Sequence, residues 1–144
     1  VFSPRVRGMT FDTKIAIAVR EDLAIWQKLN VTAFLTGGLV GANPALVGEP
    51  YRDGSDKLYG RLVRQPILIF AGSGSDIAVA VRRAKERGLL PTIYTADLFA
   101  TGNDVANRAA VAAVATDALN FVGMGIHADR KEVDKIIKGM KLHP

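Results

Sequence analysis

The chain contains no cysteine, and its 144 residues include only two histidines and one tryptophan. The missing cysteine excludes thiol nucleophiles, disulfide bonds and thiolate metal ligands. Because His127 and His143 are the only histidines, neither a closed zinc site nor a histidine-rich catalytic centre is expected. We therefore predict a protein without a metal or an organic cofactor, whose chemistry rests on carboxylate, amide and basic side chains.

Long unbroken apolar runs are missing as well. The most apolar stretch, residues 31–47, is interrupted by glycine, asparagine and proline, whereas a membrane-spanning helix needs about 18 consecutive apolar residues. No signal-peptide pattern is visible. Residues 1–12 are expected to form a flexible tail, with Met9 as a candidate translation start, and we expect the protein to be soluble and cytoplasmic.

Positive charge is in modest excess. The formal net charge of +5 attracts phosphate-bearing partners, so RNA or a phosphate-bearing small ligand is a candidate partner. An ordinary solvated surface is the alternative interpretation, because a net charge of this size keeps a small domain soluble. Basic and aromatic residues are not interleaved as they are in a dedicated binder of single-stranded nucleic acid.

Short apolar segments alternate with segments of helical spacing along the chain. Buried strands are predicted at residues 14–19, 66–71, 91–96 and 119–126. Helices are predicted at residues 23–36, 77–87, 103–116 and 129–140. This alternation predicts a single α/β domain over residues 13–144, with helices on both faces of a four-stranded sheet.

The first predicted helix has an apolar stripe and a glycine pair. Leu23, Trp26 and Leu29 recur at helical spacing, which predicts that they face inward and that Trp26 belongs to the core. Gly37 and Gly38 either end this helix or allow another backbone to pack closely. Two glycines within the fourth predicted strand likewise indicate the close approach of another backbone.

Two connections between these elements have informative sequences. Residues 41–64 contain Asn-Pro, Glu-Pro and Asp-Gly turn signals, and their length predicts a functional loop, in which residues 58–63 fit a short helix or an edge strand. Residues 72–76 read GSGSD, but they lack the glycines that a dinucleotide-binding loop or a nucleophile elbow requires. We interpret Ser73 or Ser75 as the N-cap of the following helix.

Polar side chains crowd the segment after the third predicted strand, at Thr101, Asn103, Asp104, Asn107 and Arg108. Asn103 and Asn107 are four residues apart and share a helix face, and Asp104 can pair with Arg108. The cluster follows the carboxyl end of a strand, where open α/β sheets bind ligands. It is therefore a candidate site for a carboxylate, phosphate or amide group. Helix capping together with a surface ion pair is the alternative interpretation.

His127 is the remaining candidate ligand-binding residue. It directly follows the fourth predicted strand. A histidine in this place can act as a base or a hydrogen-bonding group near neutral pH. A turn residue without a chemical role is the alternative interpretation.

The succession from Pro66 to Leu142 resembles the C-terminal half of the type 2 peptidyl-tRNA hydrolases. A PILIFAG strand is followed by a helix ending in AKERGL, an IYTAD strand ending in Asp97 and a GMGI strand that leads into DRKEVDKIIKGMKL. A closer similarity, from Lys14 onward, is to a bacterial family of domains of unknown function, family 2000, through the segments LFATGNDVANRAAV and RKEVDKIIKGMKLHP.

This resemblance implies a three-layer α/β/α fold like that of type 2 peptidyl-tRNA hydrolase, with a mixed sheet whose fourth strand runs antiparallel to the others. It also implies a homodimer. The alanine-rich third helix and the glycine-bearing fourth strand support a homodimer independently, because both offer smooth surfaces for close packing.

The hydrolase resemblance further implies a catalytic pair, Lys28 and Asp97. A carboxylate beside an ammonium group can position water and stabilise the oxyanion that develops at an ester. An ordinary surface lysine and a turn-forming aspartate are the alternative interpretation. Two functions therefore remain open: an ester or amide hydrolase related to peptidyl-tRNA hydrolase, or a non-catalytic domain that binds a small ligand or a partner through the polar cluster of residues 101–108.

Overall fold

A computed structural model describes residues 11–144, so the predicted tail up to residue 10 lies outside the described residues. The described strands are β1 (Thr13–Arg20), β2 (Tyr51–Arg52), β3 (Leu58–Tyr59), β4 (Ile67–Gly72), β5 (Thr92–Thr95), β6 (Phe121–Asp129) and β7 (Lys141–Leu142). The described α-helices are α1 (Ile25–Ala42), α2 (Gly74–Glu86), α3 (Asp104–Ala112) and α4 (Arg130–Ile136).

Five of these strands form one mixed sheet in the order β5-β6-β1-β4-β7. β1 and β4 are parallel, whereas β6 runs antiparallel to both β1 and β5. The predicted α/β class and the antiparallel direction of the strand at residues 121–129 are thus confirmed. The predicted count of four strands is wrong, because β7 pairs antiparallel with β4 at the edge of the sheet.

The last helix is shorter than predicted, and a turn after it leads into the fifth strand. α4 ends at Ile136, and Gly139 then turns the chain with a φ of 102°, a conformation that glycine adopts without strain. Val133 and Ile136 are fully buried, so this short helix turns an apolar side to the core. The two residues of β7 have no periodic pattern that a sequence could reveal.

Helices cover both faces of the sheet, and β1 shows how. Ile15 and Ile17 pack on the side of α1, whereas Ala16 and Ala18 pack on the side of α2 and α4. Successive side chains of a strand point to opposite faces, and both faces are dry here. This arrangement explains why the sequence of β1 is almost continuously apolar.

α1 lies very close to β6, at the two glycines of that strand. A Cβ atom on Gly123 would stand 2.5 Å from Cγ1 of Val31 and 3.0 Å from Cδ1 of Leu35. A Cβ atom on Gly125 would stand 2.6 Å from the hydroxyl oxygen of Thr92. The predicted close approach at this strand is therefore made mainly by side chains of α1 and β5, while the backbone carbonyl of Ala18 lies 3.2 Å from the Cβ position at Gly123.

α1 is longer than predicted, since it continues through Gly37 and Gly38. Leu35 and Leu39, on either side of the glycine pair, are both buried. Their packing against the sheet holds the helix together across two residues of low helix propensity. Gly38 faces β5, where a Cβ atom would stand 3.0 Å from the methyl group of Thr92. Gly38 is thus a position of close packing, Gly37 has no atom within 4 Å of a Cβ, and neither glycine ends the helix.

The connection of residues 41–64, predicted as a long functional loop, has a structure of its own. It contains a 3-10 turn and the β2–β3 hairpin. A strand is thus observed at residues 58–59, where the sequence fitted either a short helix or an edge strand.

Asp53 organises the hairpin turn. Its carboxylate accepts hydrogen bonds from the backbone of Lys57 at 3.0 Å and of Ser55 at 2.9 Å, and from the Tyr59 hydroxyl at 2.7 Å. These bonds hold the pKa of Asp53 below its ordinary value, and the bond from the backbone of Lys57 has the largest effect.

Ser73 caps α2, as one of the two N-cap interpretations predicted. Its hydroxyl accepts a hydrogen bond from the backbone N–H of Asp76 at 3.1 Å, and the Asp76 carboxylate accepts one from the backbone N–H of Ser73 at 3.0 Å. This reciprocal pair starts the helix at Gly74, earlier than predicted. A carboxylate of the chain itself therefore occupies the helix N-terminus where a phosphate would bind.

Two other element boundaries differ from the predictions. The alanine-rich helix is shorter, since α3 spans 9 residues and none of them is buried. Without a buried face, high helix propensity alone sustains only a short helix. β6 is longer than predicted and ends at Asp129, so His127 lies inside the strand and does not follow it.

The contact between α1 and β6 generates a first prediction. Gly123→Ala forces a methyl group against the β-branched, fully buried Val31. We expect the free energy of unfolding to fall by about 1–3 kcal/mol, the usual cost of overpacking. Urea unfolding measures this change. Gly60→Ala is the control, since no atom lies within 4 Å of a Cβ at that position, and it should change stability by less than about 0.5 kcal/mol.

Candidate functional site

A groove of about 580 Å³ opens between α1, β5 and α3. Its apolar side is formed by Phe34, Tyr94 and Leu98, and its polar side by Asp104, Asn107 and Arg108. Ligand sites in proteins combine an apolar lining with a few convergent polar groups in a similar volume. The groove therefore has the composition of a small-molecule site.

Aromatic rings continue from this groove along α1. The centroid of Tyr94 lies 6.2 Å from that of Phe34 and 5.2 Å from that of Phe99, and Trp26 lies 5.8 Å from Phe99 on the far side. Trp26 is 61 % exposed, so its predicted place in the core is wrong. The side of α1 that faces the sheet is formed by Val31, Leu35 and Leu39.

Tyr94 provides a polar group at the apolar side of the groove. Its hydroxyl accepts a hydrogen bond from the Asn30 side chain at 3.2 Å. Burial raises the pKa of the Tyr94 phenol above its ordinary value, and the bond from Asn30 opposes this only in part. The phenol therefore stays protonated at neutral pH and keeps a hydrogen that it can donate to a ligand.

The residues of the predicted polar cluster have different structural roles: one caps α3, two contact each other, and two form an ion pair. Asn103 is the N-cap of α3, since its side-chain oxygen accepts a hydrogen bond from the backbone N–H of Ala106 at 2.8 Å. The Thr101 hydroxyl donates to the carbonyl of Leu98 at 2.9 Å and also contacts the Asn107 side chain.

Asp104 and Arg108 form an ion pair one helical turn apart. The capping and the ion pair of the alternative interpretation are thus both present. Asp104, Asn107 and Arg108 also line the groove.

His127 is not among the residues that line this groove. It pairs with Ile15 in the sheet, two residues along β6 from Gly125, which pairs with the groove residue Thr92. At about 3.4 Å per residue, this separation along the strand is about 7 Å. The Nε2 atom of His127 is buried and finds no hydrogen-bond partner among residues 11–144.

Lys28 and Asp97 are not brought together either. Lys28 lies in the first turn of α1, and its Nζ is 3.1 Å from Nε2 of His143, which directly follows β7. Asp97 is exposed in the 3-10 turn that directly follows β5. β5 and β7 are the opposite edges of the sheet, although Trp26, in the same turn of α1 as Lys28, contacts Phe99 of that 3-10 turn. In the part of the chain that the structure describes, neither side chain forms an ion pair.

The apolar side of the groove was missed by the sequence interpretation. Phe34, Tyr94 and Leu98 come from three separate elements, and only the fold brings them together. One signal was present in the sequence: Asn30 and Phe34 are four residues apart on α1 and both contact Tyr94. This spacing marks a helix side that meets an aromatic partner.

Two kinds of feature are absent from residues 11–144. No group of three or more histidine, aspartate or glutamate side chains is arranged to hold a metal ion. No helix in this range is both long enough and apolar enough to cross a membrane.

Fold and groove together define an α/β domain with a ligand-sized groove at the edge of a mixed sheet. The chain belongs to a family described as proteins of unknown function, DUF2000, which it matches over residues 13–144. It is similar to the solved structure of Atu0240, a protein of unknown function from Agrobacterium tumefaciens strain C58. The two are 47 % identical with a TM-score of 0.91, over 94 % of this chain and all of the other. A comparison with curated proteins finds no match.

The cap of α3 generates a second prediction, which separates a structural role of Asn103 from a ligand-binding role. Asn103→Ala should lower the free energy of unfolding by about 1 kcal/mol, because a backbone N–H loses its side-chain acceptor. Asn103→Asp keeps a cap oxygen and should retain the stability of the parent protein. Urea unfolding of the three proteins measures both changes, and equal stability of the alanine variant would contradict the capping role.

Proposed function

We propose that the protein is a binding domain whose groove between α1, β5 and α3 takes a small, flat, largely apolar ligand with one hydrogen-bonding or singly charged group. The observation that supports this best is the composition of the groove. Aromatic rings of Phe34 and Tyr94 form one side, and the side chains of Asn107 and Arg108 form the other. A flat ring would stack on the first side and place its polar group at the second.

The charge of the groove favours such a ligand over RNA or a polyphosphate. Arg108 is already paired with Asp104, so the polar side carries no net charge. A polyphosphate needs several unpaired cations to replace its counterions. A neutral or singly charged ligand needs only one donor, which Asn107, Arg108 or the Tyr94 hydroxyl can provide.

An ester or amide hydrolase related to peptidyl-tRNA hydrolase is the second candidate function, together with the finer fold similarity that the resemblance implies. The observation in its favour is the half-buried Lys28, whose Nζ is held 3.1 Å from Nε2 of His143. A fixed ammonium group beside an imidazole can stabilise an oxyanion and relay a proton. The candidate has less support than binding, because Lys28 and Asp97 form no ion pair among residues 11–144.

The binding proposal is tested with 2-naphthoate, a flat aromatic anion, titrated into the 15N-labelled protein and followed by NMR. We expect the backbone amide signals of Tyr94, Asn107 and Val111 to shift together. Arg108→Gln should weaken binding by up to about five-fold, the effect of one exposed charge contact. Asp104→Asn should strengthen it, because the guanidinium group loses its competing partner.

Arg52→Gln is the matched control for this titration. Arg52 is also exposed and also pairs with an aspartate four residues away, but in the β2–β3 hairpin. It should leave the affinity unchanged. Shifts confined to residues outside the groove, or the same affinity in all the variants, would refute the proposed site.

The hydrolase candidate is tested by following the release of N-blocked amino acid from aminoacyl-tRNA by the parent protein, Lys28→Ala and Asp97→Ala. If the candidate is correct, the parent turns over the substrate and Lys28→Ala abolishes turnover. Asp97→Ala should abolish it only if a conformational change brings Asp97 to Lys28. No turnover at high protein concentration would exclude this function and leave the binding proposal untouched.

A further inference from the structure

A second cavity, of about 730 Å³, lies beside β5 on the side of α2. We name it the α2 cavity; it is lined by residues of α2, of the segment 90–93 and of the segment 116–121. Ile93 packs with the core on the side of α2, whereas the neighbouring Tyr94 packs on the side of α1. Since successive side chains of a strand point to opposite faces, the α2 cavity and the groove lie on opposite faces of the edge strand.

Much of the lining of the α2 cavity is apolar. Val81 on α2 and Phe121 at the start of β6 both line it and are almost completely buried. Leu90, on the connection from α2 to β5, lines the same cavity and is 89 % exposed. The cavity therefore has buried apolar side chains inside and an uncovered one at its opening. Its volume and this lining are those of a small-molecule site.

Four charged side chains also line the α2 cavity, two of each sign. Arg82 and Glu86 pair with each other, with 3.8 Å between Nε and Oε1. Lys85 on α2 and Asp117 in the 3-10 turn Thr116–Ala118 form no ion pair among residues 11–144. Two opposite charges thus stand on two separate elements around one cavity and do not pair with each other.

We propose that the α2 cavity binds an apolar zwitterion of about the size of a dipeptide. Its carboxylate pairs with Lys85, its ammonium group pairs with Asp117, and its apolar side chains cover Leu90 and Ile93. Such a ligand completes both ion pairs at once and removes exposed apolar surface from water. This site is separate from the groove, and the proposal does not depend on the ligand of the groove.

Ligands with other charges match only part of this lining. A polyanion would meet Glu86 and Asp117 as well as the two cations, so it gains no net attraction. An uncharged apolar ligand would take Lys85 and Asp117 away from water without giving either a partner, which costs free energy. A ligand with a single charge satisfies one of the two residues and leaves the other unpaired.

The size of the cavity favours a dipeptide over a single amino acid. Cavities of about 300–1,000 Å³ hold drug-sized ligands, and one amino acid is much smaller than these. In an α-amino acid both charges are attached to one carbon atom, whereas in a dipeptide a peptide unit separates them. The wider separation suits two partners that come from separate elements.

Titration of the dipeptide Leu-Leu into the 15N-labelled full chain, followed by NMR, tests this proposal. The backbone amide signals of Lys85, Leu90 and Asp117 should shift together, while those of Asn107 and Val111 in the groove stay in place. N-acetyl-Leu-Leu lacks the ammonium group and Leu-Leu amide lacks the carboxylate. Each should bind up to about five-fold more weakly than Leu-Leu, the effect of one exposed charge contact. Free leucine should also bind more weakly, because it fills less of the cavity.

Two variants assign the charges of the ligand to their partners. Lys85→Gln should weaken the binding of Leu-Leu by up to about five-fold and leave that of Leu-Leu amide unchanged, since the amide has no carboxylate. Asp117→Asn should weaken the binding of Leu-Leu and leave that of N-acetyl-Leu-Leu unchanged. Lys57→Gln is the matched control, because Lys57 is also exposed and also forms no ion pair among residues 11–144, but lies in the β2–β3 hairpin.

The blocked peptides test the two charges on the parent protein, so this result stands even if a variant fails to fold. Equal affinity for Leu-Leu and both blocked forms would overturn the proposal, as would a variant that weakens every ligand alike. Shifts confined to the groove, or no shifts up to the solubility limit of Leu-Leu, would overturn it too. Equal or tighter binding of free leucine would overturn the proposed size.

Discussion

The close approach of α1 to β6 is the contact on which the rest of the molecule depends. Val31 and Leu35 occupy the space that a side chain at position 123 would need. The helix therefore lies closer to the sheet than an alanine at that position would permit. α1 also spans the neighbouring strands, and its Gly38 meets Thr92 on β5. A shift of the helix away from β6 would therefore displace every residue that it contributes to the edge of the sheet.

The candidate groove follows from that contact. Phe34 reaches Tyr94 only because α1 lies close to β5, and the 3-10 turn after β5 then leads directly into α3. Three sides of α1 thus differ in what they contact. Its inner side closes the core, the side towards β5 forms the apolar part of the groove, and its outer side is exposed.

The sequence predicts an element and its buried side correctly where one hydrophobic pattern dominates. It does not predict the buried side where two sides of a helix are equally apolar. Ile15 and Ala16 both belong to dry faces, so an unbroken apolar run predicted β1 correctly. In α1 both sides are apolar, and helical spacing does not distinguish the stripe of Trp26 from that of Val31, so the predicted inward side is the wrong one. The polar half of the groove was visible as a local cluster around Asn107. The aromatic half was not, because Phe34 and Tyr94 are distant in sequence and their contact arises only from the packing of helix on sheet.

The lack of any buried residue in α3 has a consequence for motion. Segments with few buried contacts open locally at a small fraction of the global unfolding free energy. We expect the backbone amides of α3 to exchange with solvent deuterium well before those of β1 and β6. The polar wall of the groove can then separate from the aromatic wall while the sheet stays intact. A groove whose aromatic wall is rigid and whose α3 wall is loosely held can bind ligands of different thickness without a separate lid.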